Sequence, residues 1–151
     1  MEIINYIVTR NQKAITRCVS LEEAVGAAVA QAHDSGKSVS VIAQSAAGPS
    51  QEVIFNPDGT NENIWKIDPG HSFAPQKGQV YRNRGGGQFR CIANLNEGTT
   101  YYNGAGASSR TVAEFQNTES GWTFVAKGII QFVDGTIEWD HSCDGRFEAL
   151  P

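Results

Sequence analysis

Arg82, Arg84 and Arg90 bracket Gly85, Gly86 and Gly87 in the stretch YRNRGGGQFRC, Tyr81 to Cys91. A guanidinium is a planar fork of donors that fits phosphate or carboxylate. Successive glycines can turn backbone N–H groups inward to form an anion nest. Side chains alternate along a strand, so a strand running through Arg82 and Arg84 places both on one face. Arg90, on the returning strand, can join them. Trp122 and Phe124, with Tyr81 and Phe89, would give a base a stacking wall. This set predicts a receptor for a small anionic ligand. The simpler alternative is a flexible hairpin with solvated arginines. The stretch is neither a phosphate-binding P-loop, since no GK[ST] follows, nor a dinucleotide fingerprint, since no helix follows.

Other reactive residue types form weaker sets. Asp140, His141 and Ser142 are the three types of a hydrolase triad, but neighbours on a strand point in opposite directions and cannot form a relay. Glu138 and Asp140 would share one strand face, where paired carboxylates can hold a cation or exchange a proton; exposed acids on a meander are the ordinary explanation. His33 falls near a helix end, where its charge complements the dipole, and His71 falls in a connector. No two histidines have zinc-ligand spacing. Cys18, Cys91 and Cys143 are widely spaced and odd in number, with no CxxC, so they read as small core residues in a reducing compartment. The expectation is a non-enzymatic protein with no cofactor and no metal.

The bulk numbers agree with a compact ligand or a protein partner. The 151 residues carry a net charge of −4. Proteins that bind long nucleic acid draw most of their affinity from phosphate contacts and show a basic face, so a general DNA or RNA binder is disfavoured. No apolar run reaches the length of a membrane span, and the N-terminus lacks the pattern of a signal peptide. These features predict a cytoplasmic protein with no membrane partner.

The elements that must position these residues fall in two groups. EIINYIVT and AITRCVS read as a hairpin about Arg10–Lys13, with Ile15 and Val19 on one face and Thr16 and Cys18 on the other. SLEEAVGAAVAQAHDSG reads as a helix. Ser20 is its cap, Glu23 completes a capping box, and Gly36 is its stop. Its apolar stripe is Leu21, Ala24, Val25, Ala28, Val29 and Ala32. KSVSVIAQ and QEVIFN are two further strands joined by a turn containing Gly48-Pro49. Residues 1–56 therefore form a ββαββ module. Residues 57–78 are a connector that follows a strong turn at Asn56–Gly59, with Trp65 and Ile67 as a short strand or a docked pair. Residues 79–151 form an antiparallel β module. In it GQVYRN and QFRCIAN are a hairpin, 95–109 is a long polar loop, and RTVAEFQN, WTFVAKGIIQFV and TIEWDHS are a meander. Asp134-Gly135 reads as a type I′ turn. Gly128 marks a bulge or a close approach by another backbone, and Trp139 is placed opposite Trp122 and Phe124 across the hairpin. No internal repeat is visible. The fold class is α+β, and the two parts can pack as one domain.

The segments YRNRGGGQFRCI, SGWTFVAKGI and DGTIEWDHSCDGRF resemble a module of small, mostly uncharacterised bacteriophage and prophage proteins, over roughly the last half of the chain. A looser likeness is to phage anti-defence sponges, small α+β oligomers that sequester signalling nucleotides without cleaving them. No binding residue of theirs matches a position here. The resemblance implies an accessory protein that captures a cyclic nucleotide or an ADP-ribose derivative; the residue reading itself places that capture at Arg82, Arg84, Gly85, Gly86, Gly87, Arg90, Trp122 and Phe124, and a half-open sheet with free edges suits a homo-oligomer. The alternative is an inhibitor that binds a host defence protein, of anti-CRISPR or anti-restriction type. That reading shifts the weight to Glu138, Asp140, Asp144 and the 95–109 segment.

Overall fold

The computed structural model describes residues 2–102 and 108–144; for 96–99, 101, 102 and 141–144 the backbone alone is described. The chain divides into two compact units, Met1–Asp68 and Pro69–Pro151. The division falls inside the segment read as a connector. The fold is α+β, with one helix and antiparallel sheets.

In the first unit, β1 (Ile3–Arg10) and β2 (Lys13–Cys18) form a hairpin. Asn11 and Gln12 connect them with φ of 52° and 63°. Two successive positive values are what a two-residue type I′ connection demands. Helix α1 (Leu21–Ser35) follows. Ser20 is extended and its Oγ accepts from the Glu23 N–H at 3.4 Å. Gly36 ends the helix at φ 68°, and its N–H donates to the Ala32 carbonyl at 3.1 Å. The left-handed conformation costs glycine little. Strands β3 (Val39–Ser45), β4 (Gly48–Phe55) and β5 (Asn61–Glu62) complete a sheet of order β2-β1-β3-β4-β5. Ala24, Val25, Ala28 and Ala32 are buried in the helix, and Val8, Val39, Val41, Val53 and Phe55 are buried in the sheet. Small side chains let the helix lie close to a sheet of branched ones, where dense packing is available.

Four details of this unit depart from the sequence reading. The helix stripe is narrower, because Val29 is 37% exposed. In the hairpin Cys18 turns inward, while Ile15 and Val19 face solvent; Cys18 lies beside Tyr6 in the pairing, and Thr16 beside the core residue Val8. The turn between β3 and β4 is made by Ala46 and Ala47, and Gly48-Pro49 opens β4 opposite Ser45 and Gln44. A proline is tolerated at a strand's start. Ile64–Lys66 is a single 3-10 turn rather than a strand, with Ile64 fully buried and Trp65 exposed.

The second unit contains β6 (His71–Ser72), β7 (Val80–Arg82), β8 (Gln88–Tyr102), β9 (Ser108–Asn117), β10 (Thr123–Lys127), β11 (Ile130–Gln131), β12 (Ile137–Glu138) and β13 (His141–Asp144). They form one sheet of order β13-β10-β9-β8-β7 and a small one of order β12-β11-β6. Residues 95–102 therefore belong to strand β8 and not to a loop. Its register against β9 slips between Asn94 and Glu97 and again between Glu97 and Tyr101. Residues 103–107 of the expected loop lie outside the described residues. The expected meander is interrupted at Gly128, whose φ is 72°. There the chain leaves β10 for the small sheet, and Ser109 and Thr111 hydroxyls both donate to the Ile129 carbonyl, at 2.7 and 3.1 Å.

Asp134-Gly135 is a turn, but not of type I′. Gly135 alone has positive φ, 91°, and its N–H donates to the Phe132 carbonyl. The Phe132 N–H donates to the Thr136 carbonyl, so the loop has three residues. Asp134 Oδ1 accepts from the Thr136 N–H at 3.0 Å and from its hydroxyl at 2.6 Å. The turn at Asn56–Thr60 has the same pattern, with Asp58 receiving the Thr60 N–H and hydroxyl at 2.9 and 2.6 Å. The shared letters are Asp-Gly-Thr. The carboxylate, by accepting from the residue two places on, supplants the two-residue turn.

No helix among the described residues is long and apolar enough to cross a membrane. Ser20→Ala removes the helix cap and should cost about 1 kcal/mol, read as a shift of the urea midpoint with unchanged slope. An unshifted midpoint would mean that the cap contributes nothing.

Candidate functional site

The site expected from the sequence sits on the β7–β8 hairpin. Its register pairs Val80 with Arg90, Tyr81 with Phe89 and Arg82 with Gln88. Directly paired residues share a face, and alternation then sorts the hairpin in two. Tyr81 and Phe89 face inward. Val80, Arg82, Gln88 and Arg90 face outward. The pairing continues across the sheet, Arg90 beside Gln116 and Gln116 beside Thr123.

The inward face is an aromatic core. Phe89, Phe115 and Phe124 are 8%, 0% and 2% exposed. Trp139 packs on all three, with ring centroids 5.2, 5.8 and 5.2 Å away. Such pairs contribute about 0.5–1.5 kcal/mol each beyond the area they bury. Trp139 thus meets Phe124 from beneath the sheet and not across the Asp134-Gly135 hairpin. Phe124 is core and cannot stack on a base. Trp122 stacks on Phe124 at 5.2 Å and 22°, and is 51% exposed. It remains accessible, on the inward side. The sheet therefore lies between Trp122 and the pair Arg82 and Arg90. The expected group of phosphate-binding arginines beside a stacking wall is not assembled.

The glycine loop answers to local geometry. Strand β7 ends at Arg82, so alternation does not extend to Arg84. The Asn83 N–H donates to the Gly87 carbonyl at 2.9 Å, and the Gly86 N–H donates to the Asn83 carbonyl at 3.0 Å. The Gly87 N–H donates to Asn83 Oδ1 at 2.8 Å. This is again a three-residue loop with one left-handed glycine, Gly86 at φ 91°. Gly87 is needed for a different reason, since a Cβ there would come within 3.0 Å of two Phe89 ring carbons. At Gly85 a Cβ would meet only Asn83 Oδ1, at an ordinary 3.7 Å. The N–H groups of Gly86 and Gly87, expected to serve an anion, are bonded inside the loop.

Arg84 turns away from the outward face. Its Nε lies 3.3 Å from Glu138 Oε1, with the two side chains 40% and 29% exposed. Burial pushes the Glu138 carboxyl above its ordinary pKa, while the Arg84 guanidinium and N–H pull it down without cancelling the shift. At this exposure the ion pair contributes about 0–1 kcal/mol. Glu138 and Asp140 do not act as a pair on one strand. β12 ends at Glu138, and Asp140 is exposed with its N–H on the Lys127 carbonyl.

Arg90 donates to the Gly78 carbonyl at 3.1 Å, a neutral partner. Gln116, which the sequence reading passed over, sits between Arg90 and Thr123 and donates to the Gly121 carbonyl at 3.1 Å. Asn83, whose Oδ1 accepts from the Gly87 N–H, was passed over too. His33 is exposed beside Asp34. Cys91 is buried, and burial pushes its thiol up, which disfavours the nucleophilic thiolate. The side chains of His141, Ser142, Cys143 and Asp144 lie outside the described residues. Among the described residues no three His, Cys, Asp or Glu side chains are placed to hold one metal ion. No protein-family model matches the chain, and no curated protein and no solved structure matches it either.

Two tests follow from the loop. Gly86→Ala should lose about 1–2 kcal/mol to left-handed strain, and Gly87→Ala about 1–3 kcal/mol to the Phe89 overlap. Gly85→Ala should leave stability close to that of the parent; equal losses at all three positions in thermal unfolding would refute the loop assignment. The second test concerns pH. Glu138 has a folded pKa above its unfolded one, so its contribution is fully present below the unfolded pKa and is lost as pH rises through the folded value. The unfolding free energy of the parent minus that of Glu138→Gln should therefore fall from pH 4.5 upward toward neutrality. A difference that stays flat, or rises, contradicts the assigned burial of the carboxylate.

Proposed function

We propose that this chain is a non-enzymatic binding protein, of the phage accessory type its second half resembles, and that it captures a small phosphate-bearing ligand on the outward face of the second unit's main sheet. The observation that carries the reading is the placement of Arg82 and Arg90. They are diagonal neighbours on adjacent strands, about 7–8 Å apart at their backbones; Arg82 pairs with Gln88, Arg90 pairs with Val80 and Gln116, Gln116 pairs with Thr123, and Glu114, two places before Gln116, lies on the same face. No aspartate or glutamate occurs from Lys77 to Arg90. Two guanidinium groups carried on adjacent strands suit an anion with more than one charged oxygen. A nucleotide signal is the expected ligand class, held by its phosphates. Its base would find amide side chains there rather than an aromatic ring.

A second reading keeps one observation of its own. Trp122 presents about half its surface at the tip of the β9–β10 hairpin, backed by Phe124. Tryptophan with a rigid backing is the commonest kind of anchor in protein interfaces. A host protein bound there would depend on Trp122 and be indifferent to Arg90.

The two readings separate in one experiment. Calorimetric titration with a panel of mono- and dinucleotides at low salt should give binding that weakens with salt and is abolished by Arg82→Ala with Arg90→Ala, while Trp122→Ala binds as the parent does. Retention of a polypeptide from host lysate that is lost only in Trp122→Ala would favour the second reading. Indifference of nucleotide binding to both arginines would overturn the first.

A further inference from the structure

The sheet of the first unit has a second face. Val8, Val41 and Val53 are buried on the side that α1 covers, so alternation sends Ile7, Ile42 and Ile54 to the other side. An antiparallel sheet that turns one face to water carries polar residues there. Here three half-buried isoleucines stand in that place. The register sets this face out in rows across β2, β1, β3 and β4. One row reads Arg17, Ile7, Ile42 and Glu52. The row on one side of it reads Ala14, Thr9, Ser40 and Ile54, and on the other side Asn5 stands beside Gln44. About the line between β1 and β3 the central pairs are alike: isoleucine beside isoleucine, hydroxyl beside hydroxyl, amide beside amide. The rims are opposite, with a cation on β2 and an acid on β4. Arg17 and Glu52 are exposed, and among the described residues neither side chain makes an ion pair or a hydrogen bond. Asn5 Oδ1 is shut off from solvent and, among the described residues, has no hydrogen-bond partner.

We propose that this face binds a second copy of the chain, sheet on sheet, about a two-fold axis that runs along the strands between β1 and β3. A two-fold contact needs a surface that is complementary to itself. This axis lays β1 on the partner's β3, and β2 on the partner's β4. Ile7 then meets the partner's Ile42, and Arg17 meets the partner's Glu52. The amide of the partner's Gln44 faces Asn5 and can donate to its Oδ1, an acceptor that is costly to leave unpaired. A two-fold axis across the strands would set Arg17 against Arg17 and Glu52 against Glu52, which like-charge repulsion disfavours. Two sheets stacked along their strands form the aligned sandwich that the twist of each sheet favours. The inference concerns the first unit alone and does not rest on the arginines of the second.

The test is sedimentation equilibrium of the full chain at low salt. The parent should associate to twice its 16.3 kDa. Arg17→Glu and Glu52→Arg should each weaken the dimer about tenfold or more, because each sets like charges together twice per dimer. The two changes combined should restore it. Ile42→Asp should leave the monomer alone in solution. The charge variants lie at exposed positions and read the same interface if Ile42→Asp does not fold. A parent that stays monomeric at its highest soluble concentration overturns the proposal. So does a dimer that is indifferent to Ile42→Asp and to both charge variants. A combined exchange that dimerises no better than either single variant overturns the assigned axis.

Discussion

The second unit is organised by one constraint: the period-two alternation of a sheet whose inward face is filled with aromatic rings. Phe89, Phe115, Phe124 and Trp139 interlock on that face. Slipping any of these strands by one residue would drive the rings into solvent, so the register is strongly held. Once Phe89 is inside, Arg90 and Gln88 must be outside, and Arg82 follows because it pairs with Gln88. The arrangement of charge is a consequence of where the hydrophobic surface goes.

The same constraint explains the hairpin tip. A strand that must present Phe89 inward crowds any side chain at Gly87, whose Cβ would lie 3.0 Å from the ring, and a three-residue loop needs its left-handed residue at Gly86. The Asn83 side chain then receives the Gly87 N–H. Arg84, set on the loop and not on the strand, swings to the side where Glu138 waits. Gly86 and Gly87 are therefore accounted for by turn geometry and close packing, and the carboxylate that Arg84 meets is internal.

Much of the fold was legible because local rules agreed with one another. The Ser20 cap, the Gly36 stop and the ββαββ order were each readable from residue type and spacing. The β7–β8 hairpin was also readable, and its register made Arg82 and Arg90 neighbours on one face. Where the reading failed, distant structure overrode a local pattern. Residues 95–102 look like a loop because they are polar and contain glycine, yet pairing with β9 holds them as a strand. Asp134-Gly135 carries the letters of a type I′ turn, but a side-chain hydrogen bond to Thr136 selects a longer loop. Trp122 and Phe124 share a face as alternation requires. Which face that is depends on Phe115 and Trp139, and no short window of sequence reveals it.

The central claim is that the sheet keeps the arginines and the exposed tryptophan apart, so that the proposed anion capture would fall on the arginine side. It is tested most directly by following the Arg82 and Arg90 Nε–H and Trp122 indole N–H signals together during titration with a dinucleotide. Saturable movement of both arginine signals with a stationary indole is the predicted result. Movement of the Trp122 indole in step with the arginines would contradict it.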